Sequence, residues 1–459
     1  MRKYARYKDS GISWIGDVPE HWNVVPFRSE FSLGKGLPIT KDNLINDEIN
    51  GVPVVSYGQI HSKENEGTVL KRNLLRFVES SWLDSNPQSL LRKNDIVFAD
   101  TSEDLDGCGN CVLNTETRKI FAGYHTIIAF TNNEENGPFF AYLFQSDIWR
   151  SQIRTRVNGV KVYSVTRTHL KRCKLLLPPL SEQKAIAEYL DKKTAQINEL
   201  VSAKQKQIEL LKEYKQSVIA NAVTGKLDEI NDTRRFSTLV ELSSMRRTGS
   251  RPTDERREKI NWIGYIPRHW QKRKFQYLFK ERSEKNHPEE PVLCATQSRG
   301  VIPQSMYENR VVVVNTGFEG LKFVKKGDFV ISLRSFQGGI EYAYYQGIIS
   351  AAYTILYINT KDLYSDYVRL LFKSVPFIGL LQTCVTGIRE GQNINNDLLR
   401  KQIIPIPPLS EQKKIVAYIE KKVSSIDSQI ASIENQIANL NEYKQSLISD
   451  VVTGKVKVC

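Results

Sequence analysis

Two long stretches of this chain carry apolar residues at alternating steps of four and three. Between 190 and 222 the stepped positions are Leu190, Thr194, Ile197, Val201, Lys204, Ile208, Leu211, Val218 and Ala222. Between 419 and 451 they are Ile419, Val423, Ile426, Ile430, Ile433, Ile437, Leu440, Leu447 and Val451. That rhythm is the seam of a coiled coil sustained over roughly five heptads. Each stretch opens on the same phrase, PPLSEQK, at Pro178–Lys184 and again at Pro407–Lys413. The prolines bar a helix arriving from upstream, Ser181 is placed to cap, and Glu182 falls in the first turn, where the helix dipole favours a carboxylate. Gly225 and Gly454 supply the stop signals. Such a helix runs ~60 Å and leaves its seam bare unless partnered. The expectation is an antiparallel pair, with Leu190, Ile197, Val201, Ile208 and Leu211 on one helix and Ile419, Ile426, Ile430, Ile433, Ile437 and Leu440 on the other.

A different pattern fills residues 23–176 and 271–405. Short β-rich runs (GVPVVSYGQI, NDIVFAD and TIIAF in the first; RVVVVNT, GDFVISL and AAYTILYI in the second) alternate with polar, glycine-bearing loops. One helix is expected in each region, over PFFAYLFQSDIWRSQI and SDYVRLLFKSVPFIGLL.

The two halves repeat one plan. ISWIGDVPEHW (Ile12–Trp22) returns as INWIGYIPRHW (Ile260–Trp270), and EYKQSVIANAVTGK (Glu213–Lys226) returns as EYKQSLISDVVTGK (Glu442–Lys455). The Trp pairs of the first phrase read as anchors for the segment that enters each domain. Between the Trp phrase and the Pro-Pro phrase the halves match weakly: NDIVFAD against GDFVISL, TRVNG against TCVTG. Similar scaffolds with dissimilar inserts suggest one job done on two targets. The fold expected is α+β: two similar mixed α/β domains joined by two long antiparallel coiled-coil helices, with a pseudo-twofold internal repeat. The boundaries expected are a first variable domain at 1–176, a helix at 177–226, a polar tether at 227–258, a second variable domain at 259–405 and a helix at 406–455.

The formal charge of +14 over 459 residues favours a polyanionic partner, with nucleic acid first among them. No run approaches ~18 apolar residues, so no membrane span is expected, and the opening MRKYARYKDSG is not read as a secretory signal. Six cysteines are too sparse for a disulfide framework and suit a reducing cytoplasm. Cys108 and Cys111 form one C-x-x-C, but zinc needs a second pair of ligands; a loop with two thiols is the better reading, and no metal is expected. VTGK lacks the rest of a phosphate-binding loop, NPQS at Asn86 is not an amino-methyltransferase signature, and no nucleophile–base grouping emerges. No catalytic residue is assigned. The chain reads as a targeting subunit without an engine.

Loop residues able to contact bases and phosphates are Ser56, Tyr57, Gln59, Thr101, Asn158, Lys161 and Tyr163 in the first domain. In the second they are Thr296, Gln297, Ser298, Arg299, Arg334, Arg389, Gln392 and Asn393. Arg pairs bidentately with guanine, and Asn or Gln with adenine. For any one of these residues, a plain turn or surface role is the competing reading.

With WIGDVPEHW and WIGYIPRHW opening the domains and PPLSEQK closing them, nearly the whole chain resembles the DNA-specificity subunit of type I restriction-modification systems. EGQNIN (Glu390–Asn395) is similar to the family's polar turn before the last strand; the first copy has KVYSVT instead. The resemblance implies target-recognition domains in the two variable regions and a non-catalytic role in reading an asymmetric bipartite site in double-stranded DNA. It implies as partners two modification subunits that use S-adenosylmethionine and restriction subunits that translocate with ATP and Mg²⁺, with no cofactor in this chain. A type II-like restriction-modification specificity subunit, or a coiled-coil adaptor that reads no DNA, are the alternatives. A fused nuclease or methyltransferase is opposed by the missing motifs.

Overall fold

The computed structural model describes residues 3–65, 67–159, 161–226, 257–308, 317–387 and 393–458. The expected tether therefore lies outside the described residues, except for Arg257 and Glu258, which begin a strand. The chain forms two compact units: residues 1–205 with 434–459, and residues 206–433. Each unit holds one variable domain, the start of the long helix that follows it, and the end of the other long helix.

In the first unit a hairpin of Tyr7–Asp9 and Asp17–Pro19 precedes Trp22. Strand Asn23–Pro26 then pairs antiparallel with Lys174–Leu177, Asn23 opposite Leu177. The variable domain thus leaves and returns on a two-stranded stem. Its main sheet is antiparallel, in the order Phe31–Lys35, Thr126–Thr131, Ile96–Ala99, Cys111–Leu113. Phe27, Phe31, Phe98, Phe140, Phe144 and Trp149 form a continuous buried aromatic core behind it. Where one helix was expected there are two, Gly137–Gln145 and Asp147–Arg154. Ser146 breaks them: its backbone is extended, its hydroxyl donates to the Leu143 carbonyl at 2.6 Å and accepts from the Trp149 amide at 3.3 Å. Serine competes with helical hydrogen bonding in this way wherever it can cap the next turn.

The second unit repeats the plan. Its stem pairs Gln271–Lys274 with Ile403–Ile406, and its sheet runs Phe279–Arg282, Thr354–Ile358, Phe329–Ile331, Glu341–Tyr342. Its expected single helix is likewise two, Ser365–Phe372 and Val375–Thr383, broken at Ser374 with Pro376 in the next first turn. The RVVVVNT run lies outside the described residues.

One turn fixes the shared register. Asn94 and Gly327 both have left-handed backbones, φ 65° and 96°, which glycine and asparagine tolerate best. Each is followed by a buried aspartate that accepts from a backbone amide three residues back, Asp95 from Arg92 at 2.7 Å and Asp328 from Lys325 at 2.9 Å. The strands that follow, Ile96–Ala99 and Phe329–Ile331, are therefore matched residue for residue.

The long helices span Leu180–Val223 and Leu409–Val452. Ser181 lies inside the first turn rather than capping it, because the helix already starts at Leu180; the Glu182 and Gln183 amides donate to the Pro179 carbonyl. The neighbouring Glu182 has a larger task. His21 Nε2 lies 2.6 Å from Glu182 Oε1, while Trp22 Nε1 and the Tyr4 hydroxyl each donate to Oε2 at 3.0 Å. Burial raises this carboxyl's pKa, but the hydrogen bonds from Trp22, His21 and Tyr4 outweigh it and hold the group below the ordinary carboxylate range. In the second unit Trp270 Nε1 donates to Glu411 Oε1 at 3.0 Å and His269 Nε2 lies 2.8 Å from Oε2. The His-Trp phrase and the Ser-Glu-Gln phrase recur together because they are the two halves of one clasp. Trp22 and Trp270 are buried anchors; Trp14, 40% exposed, is not one.

Within each unit the helices run antiparallel. Lys444 donates to Asn198 and Lys204 to Gln436 in the first, and Lys215 bridges Asp427 in the second. Of the expected seam, Leu190, Ile197, Val201, Ile208, Ile419, Ile426, Ile430 and Ile433 are buried, and Leu211, Ile437 and Leu440 half-buried. The helix tips plug the opposite domains. Leu447, Ile448, Val451 and Val452 join the first unit's core, and Ala222 and Val223 join the second's. Gly454 (φ 72°) presses on Pro19 and Trp22, and Gly225 (φ 73°) on Pro267 and Trp270. A side chain there would meet both strain and a wall.

Candidate nucleic-acid interface

Strand-end loops of the first main sheet, and of the separate three-stranded sheet that holds Val52–Val55, gather polar and aromatic groups. Tyr57 follows the strand Val52–Val55, Asp100 and Thr101 follow Ile96–Ala99, and Tyr124 and His125 precede Thr126–Thr131. The ring of His125 stands edge-on to Tyr57 at 5.4 Å and to Tyr124 at 6.0 Å. His125 Nδ1 lies 3.2 Å from Asp100 Oδ1, which also accepts the Thr101 hydroxyl at 2.7 Å. His61 is fully engaged, Nε2 donating to the Thr101 carbonyl at 2.8 Å and Nδ1 accepting from Asn110 at 2.9 Å.

Of the residues expected here, Tyr57, Thr101 and Tyr163 are brought together; Tyr163 sits opposite Ser102 in a two-residue strand pair. Asn158 and Lys161 are exposed on the loop leading into that pair. Ser56 and Gln59 are local structure instead. Ser56 is buried, and Gln59 Oε1 accepts from its amide at 2.9 Å, a capping box on one helical turn. His61, Asp100, Asn110, Tyr124 and His125 were missed. A lone histidine or tyrosine in a loop carries no periodic signal, and these five converge only once the strands pair.

In the second unit the corresponding end holds the turn Thr296–Gly300, Arg334 with the short helix Ser335–Gly338, and the strand Asn393–Ile394. Thr296 is a turn residue: buried, it donates to the Gly300 carbonyl and accepts from the Arg299 amide. Gln297, Ser298, Arg299, Arg334 and Asn393 are exposed. Arg389 and Gln392 lie outside the described residues.

Lys373, which sequence reasoning passed over, ties this end together. Its Nζ donates to the Gln297 carbonyl at 3.1 Å, the Gly338 carbonyl at 2.8 Å and Glu341 Oε1 at 2.6 Å. Its signal was a lysine inside the apolar run LLFKSV. Glu341 is buried, and its other oxygen has no partner among the described residues. Burial pushes its carboxyl up to about 7, against the opposing pull of Lys373. A carboxyl raised in the folded state stabilises most below its unfolded pKa, ~4.3, and loses that contribution as pH rises through 7. The stability of the parent relative to Glu341→Gln should therefore fall by about 2–3 kcal/mol between pH 5 and pH 8. Urea denaturation at the two pH values measures it, and a constant difference rules the assignment out.

Cys108 and Cys111 are both buried free thiols, and burial pushes Cys111 up to about 12. They are core residues, far from the thiolate a metal or redox site needs. Among the described residues there is no group of three or more His, Cys, Asp or Glu able to hold a metal, and no helix is long and apolar enough to cross a membrane.

The type I restriction modification DNA specificity domain matches residues 19–210 and again 268–442. The chain belongs to that family. The specificity subunit of the type I restriction enzyme EcoKI from Escherichia coli K12 is 21% identical over 461 residues, covering 96% of this chain and 90% of that protein. A putative MjaX specificity subunit from Methanocaldococcus jannaschii is 23% identical, covering 97% and 96%. In fold, the specificity subunit resembles a chain solved in a study of complex assembly and conformational transition of the type I R-M system. The TM-score is 0.63 and identity 15%, covering 96% of this chain and 99% of that one. The HsdS subunit of Thermoanaerobacter tengcongensis gives 0.50 at 16% identity, covering 96% and 98%. Specificity subunits of this family are non-catalytic, and the duplicated match agrees with the two halves of the fold.

Proposed function

We propose that this chain reads the two halves of an asymmetric bipartite DNA site, one with each variable domain, and carries the catalytic subunits of a type I restriction-modification complex to it. One observation carries the reading. The strands after the shared Asn94-Asp95 and Gly327-Asp328 turns are matched in register, yet they deliver different chemistry to the same loop position: Asp100-Thr101 in one unit, Leu333-Arg334 in the other. Equal scaffolds with unequal tips suit two different half-sites. The candidate base-contacting residues on this reading are Tyr57, Thr101, Asn158, Lys161 and Tyr163 in the first reader. Gln297, Ser298, Arg299, Arg334 and Asn393 are those of the second.

The partners proposed are double-stranded DNA, two modification subunits and the restriction subunits, in the cytoplasm. S-adenosylmethionine, ATP and Mg²⁺ serve those partners. For the modification subunits the support is a repeated surface. Glu213, Tyr214, Gln216 and Ser217 are exposed, and so are Glu442, Tyr443, Gln445 and Ser446 in the same phrase of the other helix. Core packing does not explain identity at exposed positions; the same partner docking twice does.

The two-stranded stems give the test its cut points. Replacing residues 23–176 by another family member's first reader should change one half-site and leave the other intact. Sequencing of methylated sites in cells carrying the parent or the hybrid reads the outcome, and a change in both half-sites defeats the independent-reader arrangement.

A further inference from the structure

His125 is one of three non-glycine residues with a left-handed backbone among those described, at φ 54°. The other two, Asn94 and Asn286, are asparagines, which adopt that conformation readily. Nor does the scaffold demand it at this strand start, since the matched residue of the second unit, Ala352, does not have it. The conformation belongs to the first reader alone, and strained backbone held by its surroundings is characteristic of working positions. Here the surroundings are specific: the Asp100 amide donates to the His125 carbonyl at 3.1 Å, the Asp100 carboxylate holds Nδ1, and two tyrosine rings flank the imidazole. The side chain is nevertheless 57% exposed.

That geometry sets the chemistry of the outward nitrogen. An ionised carboxylate only accepts, so the proton of the neutral ring sits on Nδ1, facing Asp100. Nε2 is then left as a bare acceptor, with no partner among the described residues. His61, with both nitrogens engaged, offers nothing comparable.

Building on the reading of this chain as a DNA-specificity subunit, we propose that His125 is a specificity-determining residue of the first reader. Its Nε2 accepts a hydrogen bond from the exocyclic amino group of adenine or cytosine in the major groove. On that edge guanine and thymine present acceptors to an incoming side chain, and they are rejected. Asp100 is the positioning residue that keeps the ring in the accepting tautomer.

The test is selection of a randomised duplex library by the full chain in complex with its modification subunits, comparing parent, His125→Ala and His125→Asn. The parent is expected to select adenine or cytosine at one base pair of the first half-site. His125→Ala should lose that preference by ten- to a hundredfold, with the rest of the first half-site and all of the second unchanged. His125→Asn keeps a residue suited to the left-handed backbone and, as a carboxamide, should retain adenine. A uniform loss of affinity with every letter intact would mean a phosphate contact and overturn the proposal; so would unchanged selection by both variants. If the parent itself selects no sequence, the specificity reading falls first and takes this residue assignment with it.

Discussion

On the proposed docking of one modification subunit at each EYKQS phrase, replacing Tyr214 and Tyr443 together with alanine is expected to strip the chain of those subunits, while each single replacement should leave a complex with one subunit lost. The two tyrosines are 45% and 47% exposed on their helices, each within an identical EYKQS phrase. The other members of the phrase set the direction of this expectation. Lys215 and Lys444 are engaged within their own units by Asp427 and Asn198, so they help hold the helices, whereas the tyrosines keep nearly half their surface exposed. Tyrosine is among the residues that dominate binding when desolvated at the centre of an interface, and its truncation there costs ~2 kcal/mol or more. That is about thirtyfold at each site. Mass measurement of the reconstituted assembly reads the result directly. Full occupancy in the double variant would place the docking surface elsewhere.

The second large effect is expected at Arg334. It stands exposed at the strand end that matches Thr101 in the other reader, beside the turn carrying Gln297 and Arg299. A guanidinium reads guanine by a two-pronged hydrogen bond worth ~1–3 kcal/mol of discrimination. Arg334→Ala should therefore relax one base pair of the second half-site by ten- to a hundredfold and leave the first half-site alone. Lysine should not rescue it, because an ammonium lacks the planar fork. A phosphate contact predicts something else: an even loss across all sequences, with the salt dependence shallower by about one ion. Methylation mapping with Arg334→Ala and Arg334→Lys separates the two.

How much of this was legible beforehand depends on the range of the interaction. Ile197, Val201, Ile426 and Ile430 announced the helices because coiled-coil periodicity is written in neighbouring residues. Glu182 did not announce its clasp, since His21 and Trp22 lie some 160 positions away and a first-turn glutamate has an adequate local explanation in the helix dipole. Ser146 and Ser374 looked like ordinary members of apolar runs; their power to end one helix and begin another rests on a competing local hydrogen bond that periodicity ignores. At the candidate interface the residue types were visible but not their occupation. Ser56, Gln59 and Thr296 are absorbed by turns that their own backbones require. Asp100 and His125, 25 residues apart, are joined only through strand pairing.

The closing of each unit by the far helix tip also has a temporal side. Leu447, Ile448, Val451 and Val452 belong to the same core as Phe27 and Trp149, yet they are synthesised long after them. All of residues 206–433 must be translated before they emerge. At ~5–20 residues per second, that leaves the first core without its last wall for roughly 10–45 s. During that interval the core that holds Ile186, Leu190 and Trp22 lacks the helix tip that completes it. A nascent chain on a neighbouring ribosome carries the same tip, so the protein's own message, densely loaded, is a setting in which two copies can exchange ends before either is complete.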